Sequence, residues 1–219
     1  MSKVAIITGA TSWMALATYN KLTDMCWNPV LCSHEEMDVD NPDQVFDYFD
    51  KAIKTYGQIH AVVNIAGKSL NKLFHETTPE EFDEILGVNF RGVVNTTRAI
   101  LPHFMENYEG NITAIVSKGA YCGFPHKSAY STAKAATNIL IKTIAQEYGS
   151  YNIRANTVLP GYTKNKRHSK SEPSYSHASP LGRITYPEDV GNAIGFLLSD
   201  DASHITGSCF DISGGTALH

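Results

Sequence analysis

Short runs of β-branched and other apolar residues alternate along the chain with longer stretches in which apolar positions recur every three or four residues. Runs of the first kind are typical of buried strands, and stretches of the second kind are typical of amphipathic helices. The predicted strands are Val4–Ile7, Val30–Cys32, Ala61–Val63, Ile112–Val116, Ile153–Leu159 and Ser208–Ile212. The predicted helices are Ser12–Thr23, Asn41 to Gly57, Thr78 to about Asn107, Ala129–Tyr148 and one that begins at Pro187.

Strands in alternation with helices predict an α/β fold with a doubly wound parallel sheet and helices on both faces, because parallel strands need crossovers. No linker or repeat divides the sequence, so residues 1–219 are expected to form a single domain. Between Cys32 and Asn41 there are too few residues for a helix and a further strand, which predicts a shortened crossover after the second strand. Such sheets bind ligands beyond the carboxyl ends of their strands.

The composition is that of a soluble globular protein, with 42% hydrophobic and 18% charged residues. A formal net charge of −4 gives the chain no broad attraction to nucleic acid or to an anionic membrane. No apolar run is long enough to cross a bilayer, and four scattered cysteines without a Cys-x-x-Cys pair favour free thiols in the cytoplasm. The histidines lack the spacing of metal ligands, so we expect no metal, no nucleic acid and no membrane among the partners.

The turn after the first strand has the residue types of an anion-binding site. It reads Thr8-Gly9-Ala10-Thr11-Ser12, and small residues at a helix start offer backbone N–H groups and the positive end of the helix dipole. The turn after the third predicted strand, Asn64-Ile65-Ala66-Gly67, also consists of small residues for the most part. Either turn alone is also what an ordinary strand-to-helix connection uses.

Ser117, Tyr130 and Lys134 supply candidate chemistry. Ser117 follows the fourth predicted strand, and Tyr130 and Lys134 share one face of the helix after it. An ammonium beside a phenol favours the phenolate, so Lys134 is expected to lower the pKa of Tyr130 from about 10, which suits proton transfer at a carbonyl or alcohol oxygen. For the pair taken alone, the alternative is a Tyr and a Lys on an exposed helix face.

Taken in order along nearly the whole chain, these segments resemble the short-chain dehydrogenase/reductase family. Thr8-Gly9 is similar to the family's cofactor turn, Asn64-Ile65-Ala66-Gly67 to its Asn-Asn-Ala-Gly segment, and Pro160-Gly161 to its turn under the nicotinamide. The resemblance implies a Rossmann-like fold and an NAD(P)-dependent oxidoreductase that moves a hydride between nicotinamide and a carbonyl or secondary alcohol. The Tyr-x-x-x-Lys spacing argues against enoyl reductases, which separate these residues more widely.

The resemblance also implies roles for individual residues. Tyr130 would be the general acid/base, Ser117 would hydrogen-bond the substrate oxygen, and Lys134 would tune Tyr130 and bind the nicotinamide ribose. Asn89 would hold a water that links Lys134 to solvent. The positions that would bind the cofactor are Gly9, Thr11, Ser12, Met14, Ser33, Asp38, Val39, Asn64, Ala66, Gly67, Tyr130, Lys134, Pro160, Gly161 and Thr163.

The cofactor turn departs from the family's pattern. Trp13 and Ala15 stand where the family has its second and third glycines. Trp13 either crowds the pyrophosphate or packs outward and leaves the N–H groups free to bind it, and we expect the second arrangement. Asn165 replaces the family's threonine after Pro160-Gly161 and can still form a hydrogen bond.

The end of the second strand bears on the choice between NAD and NADP. Ser33-His34 stand where an acid would bind the ribose of NAD, and the lack of an acid there favours NADP. Glu35 and Glu36 lie close by and oppose a 2′-phosphate.

Residues 163–182 correspond to the family's lid over the substrate, which is implied to be a small carbonyl or alcohol. Basic residues of this segment would meet an acidic substrate, or they belong to a solvated loop: Lys164, Lys166, Arg167, His168 and Lys170. Aromatic residues that would line the pocket or simply pack are Tyr121, Phe124 and Tyr162, and the direction of Lys118 stays open.

Two further expectations concern assembly and activity. The helices that bear Asn89 and Tyr130 commonly form subunit contacts in the family, which implies a homodimer or homotetramer. The alternative function is a retired member of the family that keeps the fold as a binding or assembly module. The joint presence of Asn89, Ser117, Tyr130 and Lys134 favours the enzyme, because none of them is needed to fill a core.

Overall fold

The computed structural model of the chain describes residues 2–164 and 179–217. The strands in these ranges are β1 Val4–Thr8, β2 Asn28–Cys32, β3 Ala61–Asn64, β4 Gly110–Ile115, β5 Ile153–Pro160 and β6 Cys209–Ile212. The α-helices are α1 Trp13–Asp24, α2 Pro42–Tyr56, α3 Pro79–Leu86, α4 Gly92–Asn107, α5 Gly119–Cys122, α6 Ser128–Tyr148 and α7 Pro187–Leu198. Short 3-10 helices cover Phe74–Glu76, Gly149–Tyr151 and Asp200–Ala202.

The six strands pair in parallel in the order β2-β1-β3-β4-β5-β6. The chain winds from β1 outward to β2, then returns through α2 to β3 and winds outward to β6 at the other edge. Thr8 at the end of β1 aligns with Cys32 on one side and with Asn64 on the other. The winding direction therefore changes between β1 and β3, which is where doubly wound sheets bind their ligands.

Apolar clusters cover both faces of the sheet. One cluster joins Ile6 and Val62 to residues of α2, α4 and α6, such as Phe49, Phe104 and Ile141. The other joins Ile7 and Val63 to residues of α1 and α7, such as Leu22 and Ile194. These layers confirm the predicted doubly wound fold. None of the helices in residues 2–164 and 179–217 combines the length and the apolar character needed to cross a membrane.

The predicted shortened crossover is confirmed. Residues 33–41 connect β2 to α2 through turns, and they contain neither a helix nor a strand. α2 begins where the sequence indicates, because the Asn41 side chain accepts a hydrogen bond from the Gln44 N–H at 3.2 Å and Pro42 occupies the first helical position.

The single helix predicted from Thr78 to about Asn107 is interrupted. α3 ends at Leu86, a π-helical segment covers Gly87–Arg91, and α4 begins at Gly92. Gly92 packs so closely on the crossover that a Cβ there would lie 2.7 Å from Cγ2 of Val39. Apolar periodicity does not reveal this wider turn. π-helical turns occur often at functional sites, and Asn89 lies within this one.

Candidate active site

A cavity of about 490 Å³ opens at the carboxyl ends of β4 and β5. Its walls come from the turns that follow these strands and from the first turn of α6. Predicted site residues that line it are Met14, Ser117, Tyr130, Pro160, Gly161 and Thr163. Its other lining residues are Ile115, Val116, Lys118, Phe124, Lys127, Tyr162 and Thr216.

Ser117 and Tyr130 form a hydrogen-bonded pair in the wall of the cavity. Ser117 lies two residues beyond β4, and its Oγ accepts a hydrogen bond from the Gly119 N–H at 3.2 Å. Burial raises the pKa of Tyr130, and the hydrogen bond with Ser117 acts in the opposite direction. The phenol is therefore protonated at neutral pH and is in the form of a proton donor.

Lys134 lies beneath this pair, with only 4% of the residue exposed. Its Nζ donates a hydrogen bond to the Ile115 carbonyl oxygen at 2.8 Å and lies 5.7 Å from the centroid of the Tyr130 ring. Burial lowers the pKa of Lys134 to about 8, because the charged form loses hydration. The ammonium is thus held between the end of β4 and the Tyr130 ring of α6.

The expectation that Lys134 lowers the pKa of Tyr130 is wrong for this structure. The pKa of Tyr130 is raised, and burial is the main cause. Burial is the main cause both of the raised pKa of Tyr130 and of the lowered pKa of Lys134. At the high pH at which a buried phenol ionises, Lys134 with its pKa of about 8 is already neutral and supplies no positive charge to stabilise the phenolate.

Asn89 is fully buried in the π-helical segment behind Lys134. Its Nδ2 donates to the carbonyl oxygens of Lys68 at 2.7 Å and Ile85 at 2.9 Å. Its Oδ1 has no hydrogen-bond partner among the described residues. A Cβ on Gly67 would lie 3.0 Å from this oxygen and 3.8 Å from Lys134 Nζ, so Gly67 keeps the space between the two groups open.

The turns after β1 and β3 pack directly against each other. Gly9 has a φ of +79°, and a Cβ there would lie 2.8 Å from the Ala66 nitrogen. Thr8 Oγ1 accepts hydrogen bonds from the N–H groups of Ile65 and Ala66, both at 3.2 Å. The small residues of the two turns are therefore required by close approach. Together they form a surface of closely packed backbone beside the start of α1, which suits a pyrophosphate.

Trp13 and Ala15 occupy the first turn of α1 in different environments. Ala15 is fully buried, as tight packing of helix on sheet requires. The Trp13 residue is 36% exposed and is not among the residues that line the cavity. Ser12 caps the helix normally, with its Oγ accepting from the Met14 N–H at 3.2 Å. The helix start that would bind a pyrophosphate therefore forms despite the tryptophan, and the residues present fit a dinucleotide.

The shortened crossover places Glu36 at the end of β2. Its Oε2 accepts a hydrogen bond from the Ser33 N–H at 2.8 Å. Asp38 is half-buried, and its Oδ1 accepts from the Asp40 N–H at 3.0 Å. Val39 is only 8% exposed and belongs to the core. The crossover thus folds back on the strand end and brings the Glu36 carboxylate to the Ser33 amide.

Several lining residues extend the predicted site. Lys118 lines the cavity, which answers the question of its direction, and Phe124 and Tyr162 line it too. Tyr121 is not among the lining residues. Its hydroxyl accepts a hydrogen bond from Asn138 at 3.0 Å.

Sequence reasoning did not single out Lys127 or Thr216. A signal for Lys127 existed, since it lies three residues before Tyr130 and such neighbours share a helix face. Thr216 follows β6 in a turn without a pattern, and only the topology brings it to the cavity. Predictions were also made for residues that lie outside the described ranges: Asn165, Lys166, Arg167, His168 and Lys170.

Comparisons with known proteins place this chain in a family. A family model described as enoyl-(acyl carrier protein) reductase matches residues 16–217. The 3-oxoacyl-[acyl-carrier-protein] reductase FabG of Thermotoga maritima is 32% identical over 186 residues, which cover 83% of this chain and 76% of that protein. The 3alpha-hydroxysteroid dehydrogenase of Mediterraneibacter gnavus is 31% identical over 241 residues, covering 97% and 96% respectively.

A solved structure gives the same result. The 3-ketoacyl-(acyl-carrier-protein) reductase from Brucella melitensis, complexed with NADH, matches with a TM-score of 0.93 at 27% identity and covers 99% of this chain and 98% of its own. The chain belongs to the short-chain dehydrogenase/reductase family, as its sequence predicts. It is an NAD(P)-dependent oxidoreductase, and these relatives give no support to the hypothesis of a retired binding module.

The depressed pKa of Lys134 predicts how stability depends on pH. The folded state releases the proton near pH 8, whereas an unfolded lysine keeps it to about its ordinary value of 10.5. The free energy of unfolding should therefore rise with pH across this window by about 3 kcal/mol relative to Lys134→Met, which has no proton to release. Urea unfolding of both proteins at several pH values between 7 and about 10.5 measures the difference. A difference independent of pH would contradict the burial of a titrating ammonium at this position.

Proposed function

We propose that this enzyme interconverts a carbonyl and a secondary alcohol, with Tyr130 as the general acid/base. The observation that supports this best is the hydrogen-bonded pair of Ser117 and Tyr130 in the cavity wall, with the buried Lys134 ammonium 5.7 Å from the centroid of the Tyr130 ring. A bound nicotinamide supplies or accepts the hydride. The protein's task is then to orient the substrate oxygen and to move one proton to or from it.

In carbonyl reduction the Tyr130 phenol donates its proton to the substrate oxygen. The Ser117 hydroxyl donates a hydrogen bond to the same oxygen and fixes its position. The raised pKa of Tyr130 keeps the donor loaded at neutral pH, and the charge on Lys134 below about pH 8 stabilises the phenolate that forms. In alcohol oxidation the same groups act in reverse.

The phenolate must be reprotonated after each reduction, and Asn89 supports a route for this. Its unpartnered Oδ1 and the ammonium of Lys134 both border the space that Gly67 leaves open. A water held by Asn89 would relay a proton from solvent to Lys134 and onward to Tyr130. The four residues Asn89, Ser117, Tyr130 and Lys134 then form one proton-handling unit.

The cofactor would extend from the cavity to the end of β2. Pro160, Gly161 and Thr163 would contact the nicotinamide, and Tyr130 and Lys134 its ribose. The positions that would contact the rest of the dinucleotide are Gly9, Thr11, Ser12 and Met14 at the pyrophosphate and Ser33, Asp38, Val39, Asn64, Ala66 and Gly67 along the adenosine side. The close packing of Gly9 on Ala66 supports this path, since it brings the turns after β1 and β3 together beside the start of α1.

We propose NAD(H) rather than NADP(H) as the preferred cofactor. The missing acid at Ser33-His34 favours NADP, but Glu36 carries a carboxylate to the Ser33 amide at 2.8 Å. A carboxylate at this place accepts hydrogen bonds from ribose hydroxyls and repels a 2′-phosphate. The crossover therefore supplies from a later position the acid that the strand end itself lacks.

A homodimer or homotetramer through α4 and α6, working in the cytoplasm, completes the proposal. Ile139 on α6 is 61% exposed, an apolar side chain that a second subunit would cover.

Replacing Tyr130 tests the assignment of the acid/base. Tyr130→Phe keeps the ring that packs in the wall but removes the proton, so kcat for carbonyl reduction should fall about a hundredfold to ten-thousandfold while NADH still binds. Reduction of a panel of neutral ketones and aldehydes, followed by the loss of NADH absorbance, measures the change. Tyr56→Phe, an exposed tyrosine on α2, is the control and should leave the rate unchanged. Wild-type turnover by Tyr130→Phe would contradict the mechanism.

Replacing Glu36 tests the choice of cofactor. Glu36→Gln retains a side-chain oxygen for the Ser33 amide but removes the negative charge, so the ratio of Kd for NADPH to Kd for NADH should fall about tenfold. Glu35→Gln is the matched control, because Glu35 is exposed and adjacent. Titration of each purified protein with both dinucleotides gives the ratios. Equal shifts in the two variants, or no shift in Glu36→Gln, would contradict the assignment.

A further inference from the structure

The charged residues that line the cavity of Ser117 and Tyr130 are all positive. Two lysines, Lys118 and Lys127, line it. Among its lining residues in the described chain there is no aspartate or glutamate. Both lysines are half-buried in the cavity wall, within reach of a bound ligand. A low-dielectric pocket of one sign concentrates ligands of the other sign.

These two lysines differ from others near the site. Lys68 pairs with Glu84 and Lys72 with Glu81, so their charges are neutralised locally. No ion pair to Lys118 or Lys127 occurs within residues 2–164 and 179–217. Two positive charges that lack a carboxylate partner among the described residues favour an anionic ligand between them.

Backbone hydrogen bonds fix the main-chain positions of both lysines. Lys118 directly follows Ser117, and its carbonyl oxygen accepts from the Tyr121 N–H at 3.0 Å and the Cys122 N–H at 3.3 Å. Lys127 precedes α6, and its carbonyl oxygen accepts from the Ser131 N–H at 2.8 Å. Neither position depends on a loose loop.

Both lysines therefore lie in the wall of the cavity that holds Ser117 and Tyr130. Lys127 Nζ lies 5.7 Å from the centroid of the Tyr130 ring, the same distance as Lys134 Nζ. Lys134 is buried beneath the ring and is bound to the Ile115 carbonyl, whereas Lys127 is on the cavity side. A group that contacts Lys127 is consequently within a few bonds of an oxygen held by Tyr130.

We propose that the substrate is an anionic carbonyl compound, whose carboxylate or phosphate group binds Lys118 and Lys127 while its carbonyl oxygen binds Ser117 and Tyr130. This inference rests on the proposed carbonyl reduction. The two lysines are substrate-binding residues that determine specificity, and they would fix which end of the substrate faces the nicotinamide.

Matched pairs of substrates test the inference without knowledge of the natural one. The pairs are acetoacetate and ethyl acetoacetate, pyruvate and methyl pyruvate, and dihydroxyacetone phosphate and dihydroxyacetone. We expect the anionic member of at least one pair to have the higher kcat/KM, by about tenfold or more, because a charge-assisted hydrogen bond contributes on this scale. Carboxylate and phosphate are distinguished by which pair shows the effect. Raising the ionic strength should reduce the preference in wild-type enzyme.

Variants of the lysines test their part in the preference. In Lys118→Met and Lys127→Met the ratio of kcat/KM for the anionic member to that for the neutral member should fall at least about tenfold. Lys127→Arg should retain most of it. Lys54→Met, which changes an exposed lysine on α2, is the matched control and should leave the ratio as in wild type. The affinity for NADPH is measured in parallel, and a loss of that affinity alone would assign the lysines to a cofactor phosphate and overturn the inference.

Other outcomes separate the inference from the proposed function. Tyr130-dependent reduction of neutral carbonyls with no preference for the anionic member of any pair would overturn the inference and leave the proposed function standing. Absence of turnover with every carbonyl, neutral or anionic, would contradict both. A preference that does not respond to ionic strength and survives in both methionine variants would show that other residues select the substrate.

Discussion

The hydrogen bond from Lys134 to the Ile115 carbonyl is the interaction on which the site depends. It ties α6 to the end of β4 and so sets Tyr130, one turn earlier on the helix, against Ser117, two residues beyond Ile115. The ammonium is nearly buried, which is why its pKa falls to about 8. Burial of an ammonium is costly, and the proposed stabilisation of a phenolate at Tyr130 is a reason for Lys134 to lie at this place.

Close approach of backbone segments shapes the rest of the site. Gly9 against Ala66 lets the turns after β1 and β3 pack directly on each other, and Gly67 keeps space between Asn89 and Lys134. These constraints explain why the chain accepts Trp13 at a position that usually holds glycine. The contacts that demand glycine are made at Gly9 and Gly67, while Trp13 lies at an exposed position on the first turn of α1. Lys118 and Lys127 then give the cavity a positive charge on which the proposed substrate specificity rests.

The sequence predicted the sheet, its winding and the shortened crossover, because buried parallel strands and amphipathic helices have distinct periods. It also placed Ser117, Tyr130 and the turns after β1 and β3 at the carboxyl-terminal edge of the sheet, since these segments come after predicted strands. It missed the π-helical segment at Asn89, because apolar periodicity does not distinguish a π-helical turn from an α-helical one. The predicted direction of the Tyr130 pKa shift was wrong because burial, which no local sequence pattern reports, raises the pKa of this phenol. The fold-back of Glu36 and the direction of Lys118 likewise depend on how the chain packs.

A crystal structure of the enzyme with NADH tests the central claim most directly, which is that the dinucleotide and the Ser117–Tyr130 pair meet in one cavity above Lys134. The account predicts the nicotinamide against Pro160 and Gly161, its ribose hydroxyls on Tyr130 and Lys134, and the pyrophosphate at the start of α1 with the Trp13 ring turned away. A dinucleotide bound elsewhere, or a Trp13 ring that occupies the pyrophosphate position, would contradict it.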